Sequence, residues 1–112
     1  MSTGSITQIG VADVEGLVQA GAAFIDVREH QETAAGSAPG VQFIPLQSFT
    51  VDQVPADRAL VLICRSGRRS DAVANALAGM GYQTYNVVGG MQAWAAAGLP
   101  VVAENGTPGT VI

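Results

Sequence analysis

Residues 59–64 read ALVLIC, six apolar residues with no polar one between them. A strand with one face in water alternates apolar and polar side chains, so an unbroken aliphatic run predicts a central strand covered on both faces. Covering both faces requires helices on either side of a sheet, and the flanking sequence supplies them. Val11, Val14, Leu17 and Val18 recur at helical spacing before Gly21; Ala72, Val73, Ala76, Leu77 and Met80 do so beyond the cysteine, and Gly79 or Gly81 ends that helix. Further strands are expected at 6–10, AFIDV 23–27, VQFIPL 41–46 and YQTYNVV 82–88, and a last short helix in MQAWAAAG before Pro100. Residues 29–40 are polar and turn-rich, with room for one helical turn. Strands alternating with helices imply an α/β sandwich around a mostly parallel sheet.

The chain has 112 residues, enough for one compact domain with a core of its own. We expect that domain to occupy 1–102 and the tail AENGTPGTVI, 103–112, to be loosely ordered. At 48% hydrophobic and 12% charged, the composition is that of a folding chain and not a disordered one. No apolar stretch approaches the roughly 20 residues that cross a bilayer, and the first ten residues lack the features of a secretion signal, so a cytoplasmic location is expected. A net charge of −4 argues against nucleic-acid or anionic-membrane partners. The single cysteine excludes an internal disulfide and a CxxC redox or zinc site, and we expect neither metal nor cofactor.

Against this acidic background, three of the five arginines (Arg65, Arg68 and Arg69) follow Cys64 within five residues, and there is no lysine. Cys64 ends the central strand, at the sheet edge where loops and helix N-termini turn their N–H groups outward. Gly67 can take a positive φ, letting residues 64–70 curl until successive amides face one centre. Amides, helix dipole and guanidiniums all favour a thiolate, and the same bowl suits an anion in front of the sulfur or a negative charge placed on it. The local physics leaves open which anion. A lone cysteine ending a strand is ordinarily core packing; the arginines beside it make a nucleophile the better reading.

Four stretches in order, FIDVRE 24–29, GSAPGVQFIPL 36–46, CRSGRRS 64–70 and VVGGMQAWAAAGLPV 87–101, resemble the motifs of a single-domain rhodanese, over about residues 6 to 102. The resemblance implies a five-stranded parallel sheet flanked by helices and the transfer of sulfane sulfur through a cysteine persulfide. It implies that Cys64 accepts the sulfur. The loop amides of Arg65, Ser66, Gly67, Arg68 and Arg69 cradle it, Arg65 and Arg68 meet the anionic substrate, and Arg69 turns inward to brace the loop. Arg28 is implied near the mouth, binding substrate or fixing neighbouring loops, with Asp26 and Ser70 supporting the active loop. The implied partners are a small anionic sulfur donor, such as thiosulfate or a persulfide, a cyanide or thiol acceptor, and a sulfur-relay protein.

The resemblance extends to folds that host two other activities, phosphatase and arsenate reductase. A phosphatase loop carries arginine at the sixth position after cysteine, where this chain has Ser70, and arsenate reduction through a thiol cascade needs further cysteines. A non-catalytic interaction or sulfur-carrier module is the remaining alternative, although such modules often lose the cysteine. His30, the one candidate base, reads as a solvated loop residue, and Trp94 as core packing. QETAAGSAPG departs from the acidic-aromatic and GHIPG pattern of many relatives: Thr33 stands without the aromatic and Ser37-Ala38 replace His-Ile, which bears on how the pocket rim packs.

Overall fold

The central strand expected at 59–64 is Leu60–Ile63, and all four of its side chains are inaccessible to water. The computed structural model describes residues 4–112. Their elements run β1 (Ser5–Ile9), α1 (Val14–Gln19, entered by a 3-10 turn at Val11–Asp13), β2 (Ala23–Asp26), α2 (His30–Ala35), β3 (Gln42–Phe43), β4 (Leu60–Ile63), α3 (Arg68–Gly79), β5 (Gln83–Val87) and α4 (Gly90–Ala96). Two more 3-10 turns, Leu46–Ser48 and Val51–Gln53, carry the chain from β3 toward β4. The strands form one sheet in the order β1-β5-β4-β2-β3, and every pairing is parallel. The α/β architecture read from the alternation is therefore the one observed.

Strand parity divides the core into two layers. Leu60, Leu62 and Cys64 face one layer with Ile25, Val27, Ile44 and the α3 residues Val73, Ala74 and Leu77. Val61 and Ile63 face the other, with Val14, Phe24, Val87, Met91 and Trp94. Trp94 packs on Phe24 at 5.8 Å between ring centroids and gives its indole proton to the Pro100 carbonyl at 2.8 Å, the core role expected of it. Each fully buried aliphatic side chain of β4 contributes about 1.5–3 kcal/mol relative to leaving it in water. Parity thus sends Cys64 to the α3 side before any of its chemistry matters.

Two expectations change. Residues 30–35 form a complete short helix, because the Glu32 carboxylate accepts the Glu29 N–H at 3.0 Å and caps the first turn. The 103–112 segment departs from the loose tail expected of its composition. Val102 pairs with Ser37 in both directions at 2.9 Å, Glu104 N–H donates to the Ala34 carbonyl and Thr110 N–H to the Ala35 carbonyl, both at 3.0 Å. Val111 packs against the Trp94 layer. Small residues make this close approach possible: a side chain at Gly36 would run into Thr110 and Val101.

The Gly89-Gly90 turn brings α4 against the loop after Cys64. Met91 N–H donates to the Cys64 carbonyl at 2.8 Å and Gln92 N–H to the Arg65 carbonyl at 3.0 Å. Gly90 has φ of 54°, and a Cβ there would collide with the Cys64 carbonyl oxygen and the Arg65 backbone. Gly90→Ala should therefore lower stability by about 2–3 kcal/mol in denaturant unfolding. Gly16→Ala, in an exposed turn of α1 with nothing near the added methyl, should raise it by about 0.5–1 kcal/mol.

Candidate active site

Cys64 follows β4 directly, and α3 begins four residues later, so the intervening chain must reverse within a few residues. Gly67 allows this: it has φ of 97° and serves as the N-cap of α3. In that conformation its N–H lies 3.1 Å from Cys64 Sγ and donates to it. The Arg65–Ser66 peptide is oriented from behind: its carbonyl is held by the Gln92 N–H of α4, and because N–H and C=O of a trans peptide point opposite ways, the Ser66 N–H faces the sulfur.

Burial pushes the Cys64 thiol up, but the Ser70 hydroxyl and the backbone N–H groups of Ser70, Gly67 and Ser66 outweigh it. The net result lies below the usual thiol range. The three guanidiniums expected to do this are arranged differently. Arg69 makes a two-pronged ion pair with Glu32, Nη1–Oε1 and Nη2–Oε2 both at 2.7 Å. Arg65 is exposed and donates from Nε to the Ile112 carbonyl at 2.8 Å, while exposed Arg68 has no hydrogen bond or ion pair among the described residues. Amide and hydroxyl hydrogen bonds, more than side-chain charge, make this sulfur acidic.

Arg28 and Asp26 are wholly buried and paired with each other. Arg28 Nη2 donates to Asp26 Oδ2 and to the Gly36 carbonyl, both at 2.8 Å, and Nε reaches both carboxylate oxygens. This is the geometry of fixing neighbouring loops, since it ties the end of β2 to the chain leaving α2. Asp26 supports Arg28 and the Arg28 backbone N–H; none of its hydrogen bonds reaches the 64–70 loop. Ser70 does reach it: its hydroxyl lies 3.3 Å from Cys64 Sγ and 2.6 Å from Asn86 Oδ1. His30 is exposed, 3.5 Å from Glu104 and away from the sulfur loop's hydrogen bonds.

Sequence reading missed Glu32 and Asn86. Glu32 left a faint trace as the acidic residue kept in QET while its aromatic neighbour is absent. Asn86 left a clearer one, since an amide inside an otherwise apolar strand end needs buried partners. It has them: Nδ2 donates to the Gly67 carbonyl at 3.2 Å and to Gln8 Oε1 at 2.8 Å.

A family model for the rhodanese-like domain matches residues 11–97, the span that contains β2, the cysteine loop and the Gly89-Gly90 turn. The chain belongs to the rhodanese-like family. It is 38% identical over 85 residues to a sulfurtransferase of Allochromatium vinosum, covering 73% of this chain and 79% of that one. It is 32% identical over 88 residues to the thiosulfate sulfurtransferase GlpE of Actinobacillus succinogenes, covering 76% and 79%. A rhodanese-related protein of Thermoplasma volcanium superposes with a TM-score of 0.80 at 32% identity, over 88% of this chain and 99% of that one. The solved rhodanese-like structure thus shares the fold along nearly its whole length.

The Glu32 carboxyl lies below its usual range, chiefly through the Arg69 hydrogen bonds. The folded state therefore binds that proton less readily than the unfolded one. The pair's stabilisation is complete above the ordinary carboxylate value and is lost as pH falls through the lower folded value. Glu32→Gln should reduce the denaturant midpoint at neutral pH, and the gap from the unsubstituted rhodanese-like domain should close on acidification.

Proposed function

We propose that this protein is a sulfurtransferase that moves sulfane sulfur from thiosulfate or a persulfide donor to a cyanide or thiol acceptor through a Cys64 persulfide. The observation that carries the reading is the set of loop N–H groups converging on Cys64 Sγ, Gly67 N–H at 3.1 Å among them. Donors placed there stabilise a sulfur that is negative before the reaction and negative after it.

In the first half-reaction the Cys64 thiolate attacks the outer sulfur of thiosulfate. A new S–S bond forms, the thiosulfate S–S bond breaks, and its electron pair leaves with sulfite, giving Cys64–S–S⁻. In the second, cyanide attacks the outer persulfide sulfur; thiocyanate departs and the Cys64 thiolate returns. Proton transfer to the leaving group is not needed at either step, because both leaving groups are stable anions. Cys64 has no exposed surface, so admission of the donor requires its loop to open. Arg65 and Arg68 are the cations positioned to meet that donor, and Arg69, committed to Glu32, braces the loop. The sixth position after Cys64 is Ser70, and Arg69 at the fifth is held by Glu32, so neither grips a tetrahedral phosphate, which supports sulfur over phosphate chemistry.

Incubation with thiosulfate should add the mass of one sulfur atom to the protein at Cys64, and subsequent cyanide should remove it as thiocyanate. Cys64→Ser should do neither, because a hydroxyl stays protonated near neutral pH. Absence of both the added mass and the thiocyanate from the unsubstituted protein would sink the proposal.

A further inference from the structure

A chain of polar groups runs from exposed Gln8 and half-buried Asp71 inward to buried Asn86 and Ser70 beside Cys64, and the direction of each hydrogen bond as far as Asn86 is fixed. At its far end the Asp71 carboxylate can only accept, so Gln8 turns its Nε2 toward it at 2.7 Å and leaves Oε1 facing inward. That oxygen and the Gly67 carbonyl, two acceptors, take the two Nδ2 protons of Asn86 at 2.8 and 3.2 Å. Asn86 Oδ1 must then face Ser70 Oγ, 2.6 Å away, and as an acceptor it takes the hydroxyl proton. Ser70 Oγ also lies 3.3 Å from Cys64 Sγ, yet a hydroxyl has one proton and cannot serve both oxygen and sulfur at once.

We propose that Asn86 is a positioning residue that holds the Ser70 hydroxyl proton while Cys64 is a thiol and yields it to the sulfur when Cys64 is a thiolate. In the thiol form the S–H donates to Ser70 Oγ and the hydroxyl donates to Asn86. When the thiol proton leaves to solvent, the hydroxyl rotates about its C–O bond and donates to the sulfur. Asn86 Oδ1 then loses its partner. Asn86 therefore competes with the thiolate for one hydrogen bond and sets how readily Cys64 ionises.

The groups facing this switch are few. The charges around the loop are Arg65, exposed Arg68 beside Gln8, Asp71 and Asn86, Arg69 with Glu32, Arg28 with Asp26, and Asp71 at the far end of the chain. Among the described residues the Ser70 hydroxyl hydrogen-bonds only Cys64 Sγ and Asn86 Oδ1. Asn86 also anchors Gly67, whose N–H meets the sulfur, so a merely structural role has a different signature. Losing the anchor would weaken the amide bowl and disfavour the thiolate whether or not Ser70 is present. Losing the competitor favours the thiolate, and only through Ser70.

The inference rests on Cys64 being the reactive group, as proposed above, but it is read on the free thiol, so failure of sulfur transfer and failure of the switch are separate results. The experiment is the pH dependence of iodoacetamide alkylation of Cys64 in the unsubstituted protein, Asn86→Leu, Ser70→Ala and the double variant. Asn86→Val, suited to a strand, is the second choice if the leucine does not fold. The midpoint should fall by about half to one pH unit in the Asn86 variant, the size of one ordinary hydrogen bond. In the Ser70→Ala background, itself shifted upward, the Asn86 substitution should no longer lower the midpoint, leaving at most the upward shift that comes from losing the Gly67 anchor; a fall of equal size in both backgrounds overturns the proposal. A midpoint that rises in both backgrounds, or does not move in either, overturns the proposal.

Discussion

Two backbone hydrogen bonds from the start of α4, to the carbonyls of Cys64 and Arg65, organise the site. They pull those oxygens away from the centre of the loop, and the Arg65–Ser66 peptide so held turns the Ser66 N–H inward, toward the sulfur. Gly90 is where it is because only a residue without a side chain lets α4 come this close. Gly67 closes the curl from the other side, and its carbonyl is held by Asn86 from β5. The loop is thus gripped by one further strand, β5, and by the helix α4 that follows it, and the amides are in place before any substrate arrives.

The arginines have a division of labour that their clustering in the sequence conceals. Arg69 is occupied by Glu32 and joins α3 to α2; Arg28 is occupied by Asp26 and joins the end of β2 to Gly36. Both act as braces. Arg65 and Arg68 lie exposed at the surface, where charge attracts anions at modest desolvation cost. The acidity of Cys64 then comes mainly from short-range hydrogen bonds, which salt screens far less than it screens exposed guanidiniums.

Much of this was legible in the sequence because the signals were local. The unbroken aliphatic run fixed β4 at the centre of the sheet, helical spacing marked α1 and α3, and a glycine among arginines marked the turn after the cysteine. What escaped was set by contacts between distant residues. Glu32 lies 37 positions from Arg69, and Gln8 lies 78 positions from Asn86. Neither pairing leaves a periodicity to read. The tail misled for a related reason: its glycines and small polar residues have the composition of a loose end, yet smallness is what lets Gly36 and Gly109 pack backbone to backbone. Composition reports propensity, and here close packing against α2 decided the outcome.

The central claim is that the loop amides receive the negative charge of the sulfur chemistry. It is tested most directly by following backbone amide proton and nitrogen resonances while thiosulfate is titrated into the labelled protein. The amides of Ser66, Gly67 and Ser70 should show the largest shifts, downfield in the proton dimension, and should return when cyanide removes the sulfur. Shifts absent from these amides, or confined to the cavity of about 400 Å³ around His30, Phe43 and Glu104, would contradict it.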